Sequence, residues 1–249
     1  MSLEKVINYI NTKVREDGLT IGEYYGTEHF GYLLYSLIRM EQPKTVVELG
    51  SGLGSTSCMM AQALKENGKG ILWAIDNGED WKTLSQTLLY NNQSYEDFFR
   101  NLLKKLNLEK VVKFKNVTLT KESFFNPGKP IDMLFCDAPD SNAQGCINLL
   151  KYYLPLMSEY SSIFIDRSST INHAYLMLEQ LIGYLQQGKI PACLRSNNLK
   201  SISHLKFTLV HLAETKEGKK HRQQNSRTWI KIEPADIMIH NQVENYFSS

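Results

Sequence analysis

The sequence predicts an α/β fold built on a doubly wound, mostly parallel sheet, and three observations predict it. Residues 46–57, VVELGSGLGSTS, run from an apolar strand through a glycine-punctuated turn into the helical pattern STSCMMAQALKEN. A second apolar run, residues 71–75, ends in Asp76, twenty-two residues beyond Gly54, the separation expected of a βαβ unit. Two further short apolar runs, residues 131–136 and 162–165, end in Asp137 and Asp166 and read as strands buried on both faces of a parallel sheet.

Composition sets the bounds. A chain of 249 residues with 42% apolar content can bury a proper core as one large α/β domain. A net charge of +2 with 22% charged residues gives no strong attraction to nucleic acid or to a membrane surface. The cysteines Cys58, Cys136, Cys146 and Cys193 are widely spaced without zinc spacing, which suits a reduced, cytoplasmic chain. No basic N-terminal segment leads into a secretory core, and no run reaches the roughly 18 apolar residues of a membrane span, so a soluble protein is expected.

In chain order, residues 3–15 carry Val6, Ile7, Ile10 and Val14 at helical spacing, and residues 26–40 carry Phe30, Leu33, Leu34, Leu37 and Ile38 on one face. Pro43 separates this segment, residues 1–42, from the core that follows, residues 43–249. The glycines at 50, 52 and 54 let the backbone turn sharply and approach a ligand, while the following helix offers unpaired N–H groups and a positive end. The spacing is neither the GxGxxG of dinucleotide sites nor a Walker loop. A turn that merely closes a βα unit needs fewer glycines.

Asp76 stands where a βαβ unit brings a carboxylate beside the first loop to accept from a ribose diol, although aspartate is also an ordinary turn residue. Residues 95–106 read as an amphipathic helix. Residues 81–90 are expected to form either an insertion over the site or one side of a homodimer contact. A third strand begins at Val111, and strands at 205–212 and 228–232 close the chain. Between these two lies a basic loop with Lys216, Lys219, Lys220, His221 and Arg222; lacking aromatic interleaving, it does not read as a nucleic-acid surface.

The ExGxGxG spacing, Glu48 to Gly54, resembles motif I of the class I S-adenosylmethionine-dependent methyltransferases. That resemblance covers residues 43–232 and implies a Rossmann-like seven-stranded sheet whose last strand is antiparallel, with the N-terminal helices as a lid over cofactor and substrate. It implies cofactor contacts from Glu48, Gly50, Gly52, Gly54, Ser55, Asp76, Asn77, Val117 and Asp137. Tyr24, Tyr25, Glu28 and His29 fall in the lid, where Tyr25 would face the substrate.

Paired strand-end aspartates resemble the catechol-type and natural-product O-methyltransferases, in which a magnesium ion orients the acceptor hydroxyl and lowers its pKa. Asp137, Asp140 and Asp166 are the corresponding oxygen ligands. The catechol type expects Asp-Asn at the second strand end, and this chain has Asp166-Arg167. An arginine cannot ligate a cation, so Arg167 either pairs with Asp166 or binds an anionic group of the substrate. His173, His29 and His204 are the candidate general bases, and Asp137 is a further catalytic candidate expected near cofactor or substrate. Residues 195–198 are a further candidate for the substrate side.

The expected activity is transfer of a methyl group from S-adenosylmethionine to a hydroxyl of a small, natural-product or sugar-like acceptor. The alternatives are N-methylation of a small molecule or peptide, and a non-catalytic partner that kept the cofactor fold. The fourth strand end reads DAPD, without the NPPY-type loop of base N-methyltransferases.

Overall fold

β1 (Thr45–Leu49) lies between parallel partners β2 (Ile71–Asp76) and β4 (Ile131–Cys136). The computed structural model describes residues 3–25, 28–119, 124–137, 142–168, 174–195, 199, 202, 204–213 and 226–235. β3 (Val112–Asn116), β5 (Met157–Asp166), β6 (Leu205–Ala213) and β7 (Ser226–Pro234) complete a seven-stranded sheet of order β3-β2-β1-β4-β5-β7-β6. β7 runs antiparallel to both β5 and β6, so the last strand is inserted between its neighbours.

Helices cover both faces. α1 (Leu3–Ile10), α3 (Glu28–Glu41), α4 (Ser55–Asn67) and α5 (Tyr95–Lys105) share one core with Val46, Met133, Phe135 and Phe164. α6 (Ala143–Tyr153) and α7 (Ala174–Gln186) share the other with Val47, Leu49, Leu134, Ile163 and Ile165. Alternation along each strand assigns successive side chains to opposite faces. Asparagine and serine caps begin two of these helices: Asn142 accepts from the Gly145 N–H at 2.8 Å, and Ser94 accepts from the Asp97 N–H at 3.1 Å.

Three elements differ from the sequence expectation. The first helix ends at Ile10, because the chain reverses through Asp17-Gly18 and Val14 N–H donates to the Leu19 carbonyl at 2.7 Å, which buries Val14 completely. α2 (Ile21–Tyr25) then forms behind a capping box in which Thr20 and Glu23 bond each other reciprocally. β5 is longer than its apolar half, since Glu159 and Tyr160 extend it with exposed residues that carry no hydrophobic signal. Residues 79–86 form a 3-10 helix, pinned by the Trp81 indole donating to the Gln93 carbonyl at 3.0 Å.

None of the helices among the described residues is long and apolar enough to cross a membrane.

Candidate active site

A cavity of about 450 Å³ opens at the carboxyl ends of β1, β2, β4 and β5, within the size range of small-ligand sites. Its floor is the glycine loop. Gly50 N–H donates to the Ile75 carbonyl at 2.9 Å, which fastens the loop to the end of β2. Gly54 has φ +79°, and a Cβ there would stand 2.9 Å from Leu102 of α5, so the turn needs glycine on both counts.

Asp76 faces this loop directly. One carboxylate oxygen accepts from the Ser51 and Gly52 N–H groups at 2.8 and 2.9 Å, and the other accepts from Gly78 N–H at 2.7 Å. The oxygen bonded to Gly78 keeps acceptor capacity toward the cavity, which the half-buried Asp76 lines. Asn77, Val117, Thr118 and Leu119 continue the same wall, and Tyr24, Trp81, Leu84 and Tyr95 add aromatic and apolar surface.

Glu48 stands behind the cavity wall. The strand alternation turns it toward α4, where Thr56 Oγ1 donates to it at 2.5 Å and Ser57 Oγ donates to its other oxygen. Complete burial pushes its carboxyl up to about 7 despite these hydroxyl donors. Glu48 therefore fixes the start of α4 against β1. Ser55, the first residue of that helix, lines the cavity with a buried hydroxyl that has no partner among the described residues. It is aimed at whatever the cavity holds.

At the far edge, four charged side chains alternate. Arg227 of β7 is paired in register with Asp166 of β5, and its Nε lies 2.6 Å from Asp166 Oδ1, with both side chains almost fully buried. Arg167 Nε lies 3.6 Å from Asp166 Oδ2, and its Nη2 donates to Asp137 Oδ1 at 3.0 Å. Phe30 of α3 lies beneath the Arg227 guanidinium at 4.5 Å and packs on Phe135 and Phe164, which precede the two aspartates by two residues. Burial and the Asp166 carboxylate push the Asp137 carboxyl well above the usual carboxylate range, against the opposing pull of Arg167.

Residues 47–187, more than half of the chain, match the family described as a methyltransferase domain. The chain belongs to this family. It is a class I, S-adenosylmethionine-dependent methyltransferase, and its sheet with the antiparallel last strand is the fold of that class. Among solved structures it is similar to cofactor-bound Rv0187 from MTB, at 11% identity over 93% of this chain and 88% of that one, with a TM-score of 0.52. It is also similar to a candidate O-methyltransferase from Klebsiella pneumoniae, at 15% identity over 93% and 89% of the two chains, with a TM-score of 0.50. At these identities the likeness speaks for the fold. No curated protein matches the chain.

Of the cofactor residues expected in this methyltransferase, Gly50, Gly52, Ser55, Asp76, Asn77, Val117 and Asp137 line the cavity. Glu48 and Gly54 lie behind it and shape it. Tyr24 is the N-terminal residue that reaches the wall among those described. His29 is exposed on α3 away from the cavity, and His204 pairs with Glu159 at 3.5 Å. Asp140, His173, residues 196–198, the basic loop at 216–222 and the side chain of Tyr25 lie outside the described residues.

Of the magnesium set read from the sequence, Asp137 and Asp166 lie among the described residues and Asp140 does not. Asp137 and Asp166 are each engaged by a guanidinium group, which brings positive charge to the place a divalent cation would occupy. Among the described residues, no group of three or more His, Cys, Asp or Glu side chains is placed to hold a metal ion.

Tyr95, Glu79, Asp80 and Arg227 were not anticipated as site residues. Only Arg227 carried a usable signal: the alternation of RTWIKIEP puts it on the face of Trp229, two residues from the strand's start.

Proposed function

We propose that this methyltransferase binds S-adenosylmethionine against the glycine loop and methylates a hydroxyl of a small-molecule acceptor. The observation that carries the reading is Asp76, which ties the loop amides while presenting its carboxylate to the cavity. The lining suits a cationic cofactor, since Asp76, Glu79, Asp80, Asp137 and Asp166 face it with Arg167 as the sole basic residue among those described. Asp76 would hold the ribose hydroxyls, Asn77 and residues 117–119 would flank the adenine, and Ser55 with the loop amides would meet the amino-acid end.

When bound, S-adenosylmethionine supplies a methyl group already activated on a sulfonium, and its transfer to a hydroxyl gives the methyl ether, S-adenosylhomocysteine and a proton. Asp137 takes that proton, and its raised proton affinity makes it a stronger base than an ordinary carboxylate. Tyr24, Trp81 and Leu84 exclude water from the cavity side. The candidate O-methyltransferase of the same fold supports oxygen as the acceptor atom.

Calorimetry with S-adenosylmethionine on the native chain and on Asp76→Ala tests the cofactor assignment. Affinity is expected to fall at least tenfold in the variant. Equal affinity removes Asp76 from the site.

A further inference from the structure

Resting on the cofactor reading above, we propose that the ladder Arg227–Asp166–Arg167–Asp137 replaces a divalent cation at the acceptor edge, and that Arg167 receives a carboxylate group carried by the acceptor. The ladder is built from the inside outward. Arg227 and Asp166 are buried in register on adjacent antiparallel strands, and the aromatic seam of Phe30, Phe135 and Phe164 closes over them. Asp166 has two oxygens; the Arg227 guanidinium forms an ion pair with one and Arg167 stands beside the other. Arg227 thus acts as a positioning residue for Arg167 through Asp166.

Arg167 is the exposed end of this chain of charges. Its side chain is 58% exposed while Asp166 beneath it is 5% exposed. Its backbone has φ +51°, a left-handed conformation that costs an ordinary L-residue roughly 1–2 kcal/mol. That conformation turns the chain at the end of β5 and sets Arg167 beside both aspartates. The described contacts use Nε and Nη2, so Nη1 has no partner among the described residues, and Arg167 lines the cavity.

Nη2 donates to both the side chain and the carbonyl of Asp137, so the Nη1 donors are those left to make a charge-assisted hydrogen bond to a carboxylate. A phosphate is disfavoured: its roughly two negative charges would enter a cavity where five carboxylates face one basic residue among those described. A singly charged carboxylate meets less of that repulsion beside Arg167 than a phosphate does. The acceptor class is therefore a hydroxy acid, its hydroxyl presented to Asp137 and its carboxylate to Arg167.

The test uses the full chain saturated with S-adenosylhomocysteine and titrated by ligand-observed NMR with benzoate and, separately, with benzamide. Benzoate is expected to bind at least tenfold more tightly than benzamide. Arg167→Ala should remove that preference and Arg167→Lys should restore part of it, with S-adenosylhomocysteine affinity unchanged in both. Arg227→Lys, which keeps the charge and shortens the reach, should lower benzoate affinity several-fold without changing cofactor affinity. Equal binding of benzoate and benzamide, or benzoate binding that survives Arg167→Ala, overturns the carboxylate assignment. Saturable magnesium binding by calorimetry at the same edge overturns the replacement of the cation. Failure of the native chain to bind S-adenosylhomocysteine at all strikes the cofactor reading instead.

Discussion

The Tyr95 hydroxyl donates to the Gly52 carbonyl at 2.8 Å, and its ring occupies the space where a Cβ on Gly78 would stand 2.5 Å away. One side chain from the start of α5 is thereby wedged between the two backbone turns that hold Asp76. Tyr9 does the same for the neighbouring carbonyl, donating to Leu53 at 2.6 Å. The loop's carbonyls are drawn toward these tyrosines, which leaves its Ser51 and Gly52 N–H groups turned toward Asp76.

Tyr95→Phe removes that donor and keeps the ring. A single hydrogen bond of this kind is worth about 1 kcal/mol, so cofactor affinity should weaken roughly fivefold by calorimetry. An unchanged affinity would show that packing of the ring alone sets the loop.

Glu48 makes stability depend on pH. Its folded-state value of about 7 lies above the ordinary glutamate value of 4.5, so its favourable contribution is complete below about 4.5 and is lost as pH rises through about 7. Glu48→Gln can accept from one hydroxyl and donate to the other. At pH 8 the variant should be more stable than the native chain by up to roughly 3 kcal/mol, and the difference should close at pH 4.5, as read by urea unfolding. A constant difference across that range would contradict the assignment.

Asp137 should set the acid limb of the pH-rate profile. Activity requires its ionised form, so kcat/KM should fall as pH drops through a value above the ordinary carboxylate range. Asp137→Asn should lower kcat by roughly 10²–10⁴ and remove that limb. If the limb persists in the variant, another group accepts the proton.

Arg167→Gly separates strain from function. Glycine adopts φ +51° without steric cost, while its extra freedom in the unfolded chain offsets roughly 0.5–1 kcal/mol of the gain. The ion pairs lost are more than half exposed on the arginine side and contribute little. The thermal midpoint is therefore expected to hold or rise while acceptor turnover collapses. A fall of more than a few degrees would mean that the ladder stabilises the fold.

The sheet was legible because its central strands are short apolar runs with sharp ends. Residues 131–136 and 45–49 coincide with β4 and β1, since strands buried on both faces leave no polar alternation to blur them. The start of β5 was invisible, because Glu159 and Tyr160 are exposed and lie where the register with β4 shifts between the Ile131–Met157 and Met133–Ser162 pairs. Within the site, Asp76 could be placed from its spacing, whereas its bonds to the Ser51 and Gly52 amides depend on the loop's three-dimensional course. The two-arginine balance was half legible. Arg167 adjoins Asp166 in sequence, but Arg227 meets it only through the antiparallel pairing of β5 with β7.

Of the three tryptophans in the chain, Trp81 alone lines the cavity; Trp229 is stacked on Phe164 and Trp73 lies against Phe125 on the opposite core. The protein thus carries its own optical reporter. Changes in indole emission on ligand addition arise at Trp81, and replacing that residue by phenylalanine leaves the other two as an internal, silent reference.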